Sequence, residues 1–402
     1  MSTQSDQTAS GGVGFRDLVG IYVSGFCVEL AIQGTQPLSV LQLASLGASP
    51  SVIGVLLAIT GMVPMFFALP LGKLVDRIGT RRLAMLGTAL CALGLFGFGT
   101  STTIWLLVVF LMFSGLGYAS TSIAYQSLLA GIESRRKQLE AFGWLSTTSA
   151  IGQTLGPAIA GMIADWSSLP LVFSLAAWVA GMSVIGLLGF RRTLKTPDTA
   201  RLEKGLQKSL WSNRALGVAI WTIFIGSLAL SARVSFLPLY FSHAGYSATQ
   251  IGVLVSVLAA ASIVIRSRIG TLVEWFGRRT LMLIAFLISF PAFALIPWTQ
   301  GMMAWGFSAG VIGISVGVLY PLTMAMTASA VPAEQRGFAL GLRFTALRFG
   351  STLCPLVLGV VAGVGGLAAT MTVTALLCAV GAFGCGMARA GWDTGTPSVR
   401  KM

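Results

Sequence analysis

One carboxylic acid lies in the middle of a long apolar segment near the start of the chain. Glu29 follows the start of that segment by about twelve residues, which is about 18 Å of helix at 1.5 Å per residue. Tyr22, Glu29, Gln33 and Gln36 recur at spacings of seven, four and three residues, so they share one helix face. Since apolar surroundings disfavour the charged form of a carboxyl group, Glu29 is predicted to couple protons or substrate. A structural hydrogen bond to a neighbouring helix is the alternative.

Arginines inside apolar segments are candidates for binding an anionic group, because a buried charge is costly and is usually functional. Arg233 and Arg348 lie deep in two such segments, and each has the alternative of pairing with Glu29 or with backbone carbonyls. Arg343, five residues before Arg348, lies on a different helix face and is expected to snorkel to the membrane surface. The full set predicted to bind substrate is Gln33, Gln36, Arg233, Arg348, Tyr118, Tyr125 and Tyr320. Packing is the alternative role for the tyrosines.

The residue types that enzymes and metal sites use are scarce. The chain has one histidine, His243, and five cysteines, all within apolar stretches. A Ser-His-Asp triad, a histidine-rich metal site, a Gly-rich phosphate loop and a paired set of buried acids are not found. We therefore predict no enzymatic activity, no metal and no cofactor.

The composition predicts a membrane protein built of helices. Hydrophobic residues make up 55% of the 402 residues and charged residues only 9%, where an ordinary soluble domain has roughly 25% charged residues. A helix needs about 20 apolar residues to cross a bilayer, and its backbone must satisfy its own hydrogen bonds there. Twelve apolar runs meet this need: 17–35, 52–74, 83–99, 104–129, 141–164, 169–190, 216–241, 251–272, 281–298, 303–327, 338–362 and 367–388.

The basic residues are placed on one side of the predicted membrane. The formal net charge is +14, and 21 of the 26 lysines and arginines fall at the termini, in the central segment or in every second connection. The alternate connections carry none, which is the pattern expected when basic loops face the cytoplasm. Both termini are therefore predicted to be cytoplasmic, in a cytoplasmic (inner) membrane. This distribution favours contact with lipid headgroups and excludes nucleic acid as a partner.

The sequence also contains an internal repeat. Adding 198 to a position in the first half reaches its counterpart in the second, as for Gly47 and Gly245 or Pro157 and Pro355. Parallel repeats of six helices are typical of one large class of transporters. The predicted organisation is a disordered tail (1–16), a six-helix bundle (17–190), a linker (191–215), a second six-helix bundle (216–388) and a tail (389–402).

The connection after the second run carries a motif with a turn, an acid and several basic residues. It runs from Gly72 through Asp76, Arg77 and Gly79 to Arg81, and the second half has a weaker copy from Gly270 to Arg279. The motif resembles the signature of the major facilitator superfamily. Gly72 is expected to allow a close helix approach and Gly79 a turn with positive φ. The resemblance implies two pseudo-symmetric six-helix bundles, with Asp76 latching one conformation at the start of the eleventh helix, near residues 337 and 338. Plain topology anchoring is the alternative for the arginines.

A second motif lies in the fifth run. Gly152, Gly156, Pro157 and Gly161 resemble a motif found mainly in the family's exporters and antiporters. Small residues four apart allow close helix contact, and a proline bends the helix, although generic tight packing is the alternative. Proton-coupled exporters usually also carry an arginine in the fourth helix, shortly before a Gly-x-Gly. This chain has Leu111 at that place, which leaves the usual proton-relay partner missing.

These features together predict a secondary transporter, expected to act as a monomer. It would move a small organic molecule across the membrane by alternating access, with its substrate site between the two halves and with proton-coupled efflux as the first expectation. Uptake or facilitated transport of an organic anion, siderophore-like or carboxylated, is the alternative. A non-transporting membrane sensor is a remote third, since it would need a sizeable soluble domain.

Overall fold

The computed structural model describes residues 15–130, 132, 134–188, 214–332 and 336–387, and its regular elements are all helices. The predicted tails and the predicted linker lie almost wholly outside these residues. The helices up to residue 188 are α1 (Phe15–Ser45), α2 (Pro50–Ile78), α3 (Thr80–Thr100), α4 (Ile104–Ala130), α5 (Arg135–Trp166) and α6 (Leu169–Leu188).

The described residues from 214 onward form a second series of helices. They are α7 (Arg214–Leu230), α8 (Ala232–Ser235), α9 (Leu237–His243), α10 (Ala248–Ser267), α11 (Ile269–Phe276), α12 (Arg278–Ala294), α13 (Met302–Ser329) and α14 (Arg336–Met387). Within α14, Gly366 has a non-helical backbone with φ 76° and ψ 176°. That kink separates the last two apolar runs, which the sequence predicts as separate helices.

The predicted span 216–241 corresponds to one candidate membrane span, Leu216–His243. Turns at Ser231 and Phe236, both with α-region backbone angles, divide it into α7, the four-residue α8 and α9. Pro238 lies in the first turn of α9, and a proline cannot donate to the carbonyl four residues before it. The hydroxyl of Ser235 also bonds the carbonyl oxygen of Ser231 at 3.2 Å, which further loosens this part of the helix.

The helices are long and apolar enough to cross a bilayer. Ten candidate spans in the described part of the chain meet that criterion, with α7 to α9 counted as one span and the two halves of α14 as another. Helix α5 is not among the ten, although its 32 residues exceed the length that a crossing needs. Large apolar side chains such as Trp105 and Phe383 are 72% and 69% exposed, as expected for surfaces that face lipid.

The chain divides into two compact units, which we call unit 1 and unit 2. Unit 1 comprises Met1–Gln36 and Phe66–Thr199, and unit 2 comprises Pro37–Met65 and Ala200–Met402. The core of unit 1 includes Ile21, Leu83 and Leu129, each at most 2% exposed. In unit 2 the first part of α2 packs on α14, where the hydroxyl of Ser51 donates to the carbonyl oxygen of Gly359 at 2.9 Å.

The turn between α2 and α3 depends on a glycine. Gly79 has φ 87° and ψ 156°, and its repeat counterpart Gly277, at the start of α12, has φ 76° and ψ 157°. This backbone region is open almost only to glycine, so the prediction of a positive φ at Gly79 is confirmed. The close helix approach expected at Gly72 is not present, because no described atom lies within 4 Å of the position that a Cβ would occupy.

These two glycines give a matched test of the turn. Gly79→Ala should lower the stability of the protein by about 1–3 kcal/mol, because alanine is strained in this conformation. Gly72→Ala, in an open helical position of the same motif, should leave stability unchanged or raise it slightly. Thermal unfolding in detergent measures both variants. Equal melting temperatures for the two would contradict the role assigned to Gly79.

Candidate functional site

The carboxylate of Glu29 lies inside unit 1, on α1, with 9% of the residue exposed. One oxygen, Oε1, accepts a hydrogen bond from the hydroxyl of Tyr118 on α4 at 2.8 Å. The other, Oε2, accepts from the amide nitrogens of Gln33 at 3.2 Å and of Gln153 on α5 at 3.4 Å. Side chains from three helices therefore meet at one buried acid.

The partners of Glu29 are hydroxyl and amide groups rather than cations. No arginine or lysine in the described residues lies within ion-pair distance of this carboxylate. A hydroxyl can donate or accept, and an amide side chain has both a donor and an acceptor end. Such groups can bond both the ionised carboxylate and the protonated acid, whereas an arginine would favour only the ionised form. The arrangement is chemically able to hold and release a proton.

Close contact between α1 and α5 brings Gln153 to the carboxylate. A Cβ at Gly152 would lie 2.9 Å from the carbonyl oxygen of Phe26 and 3.0 Å from the backbone nitrogen of Leu30. One turn later, a Cβ at Gly156 would lie 2.9 Å from the backbone nitrogen of Gly34. The two backbones touch at these glycines, so the motif of Gly152, Gly156, Pro157 and Gly161, which we call the seam motif, joins α5 to α1 within unit 1.

The other two residues of the seam motif, Pro157 and Gly161, come after Gly156 on the same helix. Pro157 lies inside α5 and is buried, and Gly161 is buried as well. Gly161 lies four residues after Pro157, as Gly156 lies four residues after Gly152, so the members of each pair share a helix face. The two pairs are adjacent on the helix surface rather than on one face.

Unit 2 repeats this helix contact with different chemistry. A Cβ at Gly350 on α14 would lie 2.6 Å from the carbonyl oxygen of Phe224 and 3.2 Å from the nitrogen of Leu228, both on α7. Each of these three positions is 198 residues after its counterpart in unit 1, so the repeat holds at the level of backbone contacts. The counterpart of Glu29 is Ser227, whose hydroxyl bonds the Phe224 carbonyl of its own helix at 2.9 Å.

Other residues predicted to bind substrate in unit 1 have different surroundings. Gln36 is exposed, on the part of α1 beyond Glu29. Tyr125 is 4% exposed in the core of the unit, and its hydroxyl is hydrogen-bonded to that of Ser24. Tyr125 thus contributes to the packing of α4 against α1, seven residues from Tyr118, whose hydroxyl reaches Glu29.

The candidate residues of unit 2 lie on separate helices. Arg233 is on the short α8 and is partly buried, and Tyr320 is on α13 immediately before Pro321. The guanidinium of Arg348, on α14, lies 5.0 Å from the ring centre of Phe344 on its own helix. Within the described residues neither arginine forms an ion pair.

Arg343 does not snorkel as the sequence led us to expect. Its guanidinium donates to the carbonyl oxygen of Tyr320 at 2.6 Å and to the hydroxyl of Thr323 at 3.0 Å and 3.2 Å. These bonds satisfy the charged group inside the protein, where a buried polar group otherwise costs free energy. Arg343 therefore ties α14 to α13.

The predicted latch lies at the end of α2. Arg77 is exposed and Arg81 has partners of its own in the structure. The Asp76 side chain, and those of residues 337 and 338 that it was predicted to approach, fall outside the described residues. In the copy of the motif in unit 2, Arg279 donates hydrogen bonds to the carbonyl oxygens of Cys385 (3.2 Å) and Gly386 at the end of α14. An arginine of this motif can thus cap the C-terminal end of a helix.

One partner of the buried acid, Gln153, was not in the predicted site. A signal for it was present, since Gln153 follows Gly152, the residue at which α5 touches another helix. A residue next to a contact glycine is rotated by about 100° around the helix, so its side chain can lie at the edge of the contact. Nothing in the amino-acid sequence identifies α1 as that partner.

Comparison with known proteins gives matches over nearly the whole chain. The family model described as Major Facilitator Superfamily matches residues 21–312 and 269–400. The class B tetracycline resistance protein of Escherichia coli is 25% identical over 322 residues, covering 77% of this chain and 78% of that protein. Multidrug resistance protein 1 of Bacillus subtilis is 21% identical over 350 residues, covering 85% and 87%. A solved structure of a mutant nucleoside transporter, NupG, has a TM-score of 0.80 at 15% identity, covering 93% of this chain and all 100% of that one.

The contact between α1 and α5 can be tested with two glycines of α5. Gly152→Ala should destabilise the protein by about 1–3 kcal/mol, because the added methyl group would press against backbone atoms that cannot move aside. Gly143→Ala is the control, since no described atom lies within 4 Å of its Cβ position. Thermal unfolding and gel filtration in detergent give the comparison. If the melting temperature of Gly152→Ala equals that of Gly143→Ala, the two helices are not in contact.

Proposed function

The chain belongs to the major facilitator superfamily and is a multi-pass membrane transporter of small molecules, and we propose that it exports a small organic compound in exchange for protons by alternating access. The family resemblance and the all-helical fold expected from the sequence are thereby confirmed. Relatives named for resistance to tetracycline and to several drugs support export. The one-sided basic residues support a cytoplasmic membrane location with both termini inside.

The observation that carries the proposal is the buried carboxylate of Glu29 among neutral donors. Leu111 occupies the place where related exporters have an arginine, so no cation from α4 locks the acid in its ionised form. Tyr118, Gln33 and Gln153 can instead bond either protonation state. In this proposal Glu29 takes a proton from one side of the membrane and gives it to the other, and Tyr118 positions the carboxyl group.

The remaining candidate residues have supporting parts in the proposal. Gln36, Tyr320 and the two arginines Arg233 and Arg348 are proposed to contact substrate. The motif from Gly72 to Arg81 is proposed to stabilise one conformation through Asp76, with Gly79 forming its turn. The seam motif from Gly152 to Gly161 holds α5 against α1, so it sets the distance between Gln153 and Glu29.

A second candidate is uptake or facilitated transport of an organic anion. It is favoured by the arginines within the helices of unit 2 and by the lack of lysine or arginine in residues 104–130. Transport that equilibrates in liposomes without any pH gradient, and that a gradient does not accelerate, would support this candidate over proton-coupled export.

Replacement of the buried acid tests the coupling. Glu29→Gln should reduce export driven by a pH gradient to background, because glutamine keeps the hydrogen bonds but cannot carry a proton. Counterflow of the same compound without a gradient should persist, and the melting temperature should stay close to that of the wild type. Proteoliposomes loaded with tetracycline, or with compounds that raise the melting temperature of the wild type, provide the assay.

The control for this experiment is a solvent-exposed acid on α5. Glu140 forms a surface ion pair with Arg136 at 3.0 Å, with 57% of its side chain exposed. Such pairs contribute little to stability, so Glu140→Gln should transport at the wild-type rate. Undiminished pH-driven export by the Glu29→Gln protein would remove Glu29 as the proton carrier.

A further inference from the structure

A second hydrogen bond joins α1 to α4, away from the buried acid. The hydroxyls of Ser24 on α1 and Tyr125 on α4 are hydrogen-bonded to each other, and the two residues are 0% and 4% exposed. The other bond between these helices is the one that Tyr118 donates to Glu29. Ser24 comes before Glu29, whereas its partner Tyr125 comes after Tyr118. The two helices are therefore antiparallel and are tied together at two levels of unit 1.

The two tyrosines lie on one face of α4. Residues seven apart are separated by two turns, which places the two side chains about 10 Å apart along the helix. Tyr125 reaches α1 at Gly25, where a Cβ would lie 3.9 Å from a carbon of the Tyr125 ring. Gly25 in turn lies four residues before Glu29, on the same face of α1. The face of α1 that carries the acid is therefore in contact with the face of α4 that carries both tyrosines.

A single hydrogen bond between two helices leaves each of them free to turn about its own axis. A phenol oxygen lies about 7 Å from the axis of its helix, so a turn of α4 by about 10° moves that oxygen by about 1 Å. The bond from Tyr118 to Glu29 is 2.8 Å long, and a displacement of that size can take it out of hydrogen-bond range. A second bond two turns away, made from the same face of α4, limits this rotation. The bond between Ser24 and Tyr125 thus helps to keep Tyr118 within reach of the carboxylate.

No other charged group in the described part of unit 1 lies at the depth of Glu29. The remaining charged residues of the described part of this unit lie near helix ends, at 16–17, 73–82, 135–140 and 165, and α4 and α6 carry none. The titratable groups that face Glu29 are Tyr118 and the thiol of Cys91 on α3, which is buried and donates to the carbonyl oxygen of Ser114 at 3.3 Å. Both are neutral at physiological pH. Burial and hydrogen bonds therefore set the affinity of Glu29 for a proton.

We propose that Tyr125 is a positioning residue for the proton-binding site, which through its bond to Ser24 holds the hydroxyl of Tyr118 on the carboxylate of Glu29. A donor on the ionised carboxylate stabilises that form, so the position of Tyr118 sets the pH at which Glu29 gains and loses its proton. The proposal rests on the proposed role of Glu29 as proton carrier and deepens it. The bond between Ser24 and Tyr125, which does not touch the acid, then determines the pH range in which the carrier works.

Infrared titration of the purified protein in detergent follows the carboxyl group itself, because the carbonyl stretch of a protonated carboxyl group disappears when the group ionises. The Glu29→Gln protein identifies the band. Tyr118→Phe should move the midpoint of the titration to higher pH by about one unit, since it removes a hydrogen bond from the ionised carboxylate. Ser24→Ala and Tyr125→Phe break one bond from its two ends, so each should move the midpoint in the same direction by a smaller amount.

A double variant distinguishes positioning from a separate effect of Tyr125 on the acid. Tyr118→Phe combined with Tyr125→Phe should move the midpoint no further than Tyr118→Phe alone, because the hydroxyl that Tyr125 positions is already absent. Ser120→Ala is the control, since its hydroxyl is also on α4 in a buried residue but bonds the carbonyl oxygen of Leu116 on its own helix at 2.8 Å. The midpoint of this control should equal that of the wild type.

Two results would overturn the proposal. Unchanged midpoints in Ser24→Ala and Tyr125→Phe, even with lowered melting temperatures, would mean that their bond stabilises the fold without acting on Glu29. Shifts that add in the double variant would mean that Tyr125 acts on the carboxylate without Tyr118. The titration does not involve transport, so unchanged midpoints leave the export proposal intact, whereas undiminished pH-driven export by the Glu29→Gln protein removes the export role and leaves the titration result intact.

Discussion

The free energy of burying a charge in an apolar medium is the constraint on which this structure depends. Glu29 is tolerated at 9% exposure because three donors from three helices reach its two oxygens. Gln153 can be one of them only because Gly152 lets the backbone of α5 touch that of α1. The helix contact and the polar site are therefore one arrangement. A side chain at Gly152 would separate the helices and at the same time leave part of the carboxylate unsatisfied.

The charge of the exported compound has an energetic consequence for the direction of transport. If one proton enters for each monovalent anion that leaves, two elementary charges move in the direction favoured by a membrane that is negative inside. Each charge is worth about 2.3 kcal/mol per 100 mV. Export of an anion by this exchange would thus be driven by the membrane potential as well as by the pH gradient. Uptake of the same anion would oppose both, which is a physical reason to prefer export in this proposal.

Much of the fold could be predicted from the sequence. The length and hydrophobicity of an apolar run, and the position of a glycine, determine local structure without reference to other helices. The positive φ of Gly79 and the turn at Gly366 are examples. The short turns at Ser231 and Phe236 were not predicted, since an apolar run has the same composition whether or not its helix contains such turns. The buried acid could be identified, but its partner Gln153 could not, because the rotation and pairing of helices 124 residues apart are set by tertiary packing. Arg343 was misjudged for the same reason, since its acceptors on α13 are formed by the fold.

The same helix contact occurs at Gly152 in unit 1 and at Gly350 in unit 2, although the charged side chains of the two units differ. A hypothetical ancestor made of two identical copies of the first half would keep both contacts, because they need only glycine and backbone. It would also carry a second acid where Ser227 now lies, and a threonine, Thr35, where Arg233 now lies. Duplication alone would therefore give two units with the same helix contacts and the same charged side chains. The difference between the two units at these positions is therefore one of side chains, within the same backbone contact.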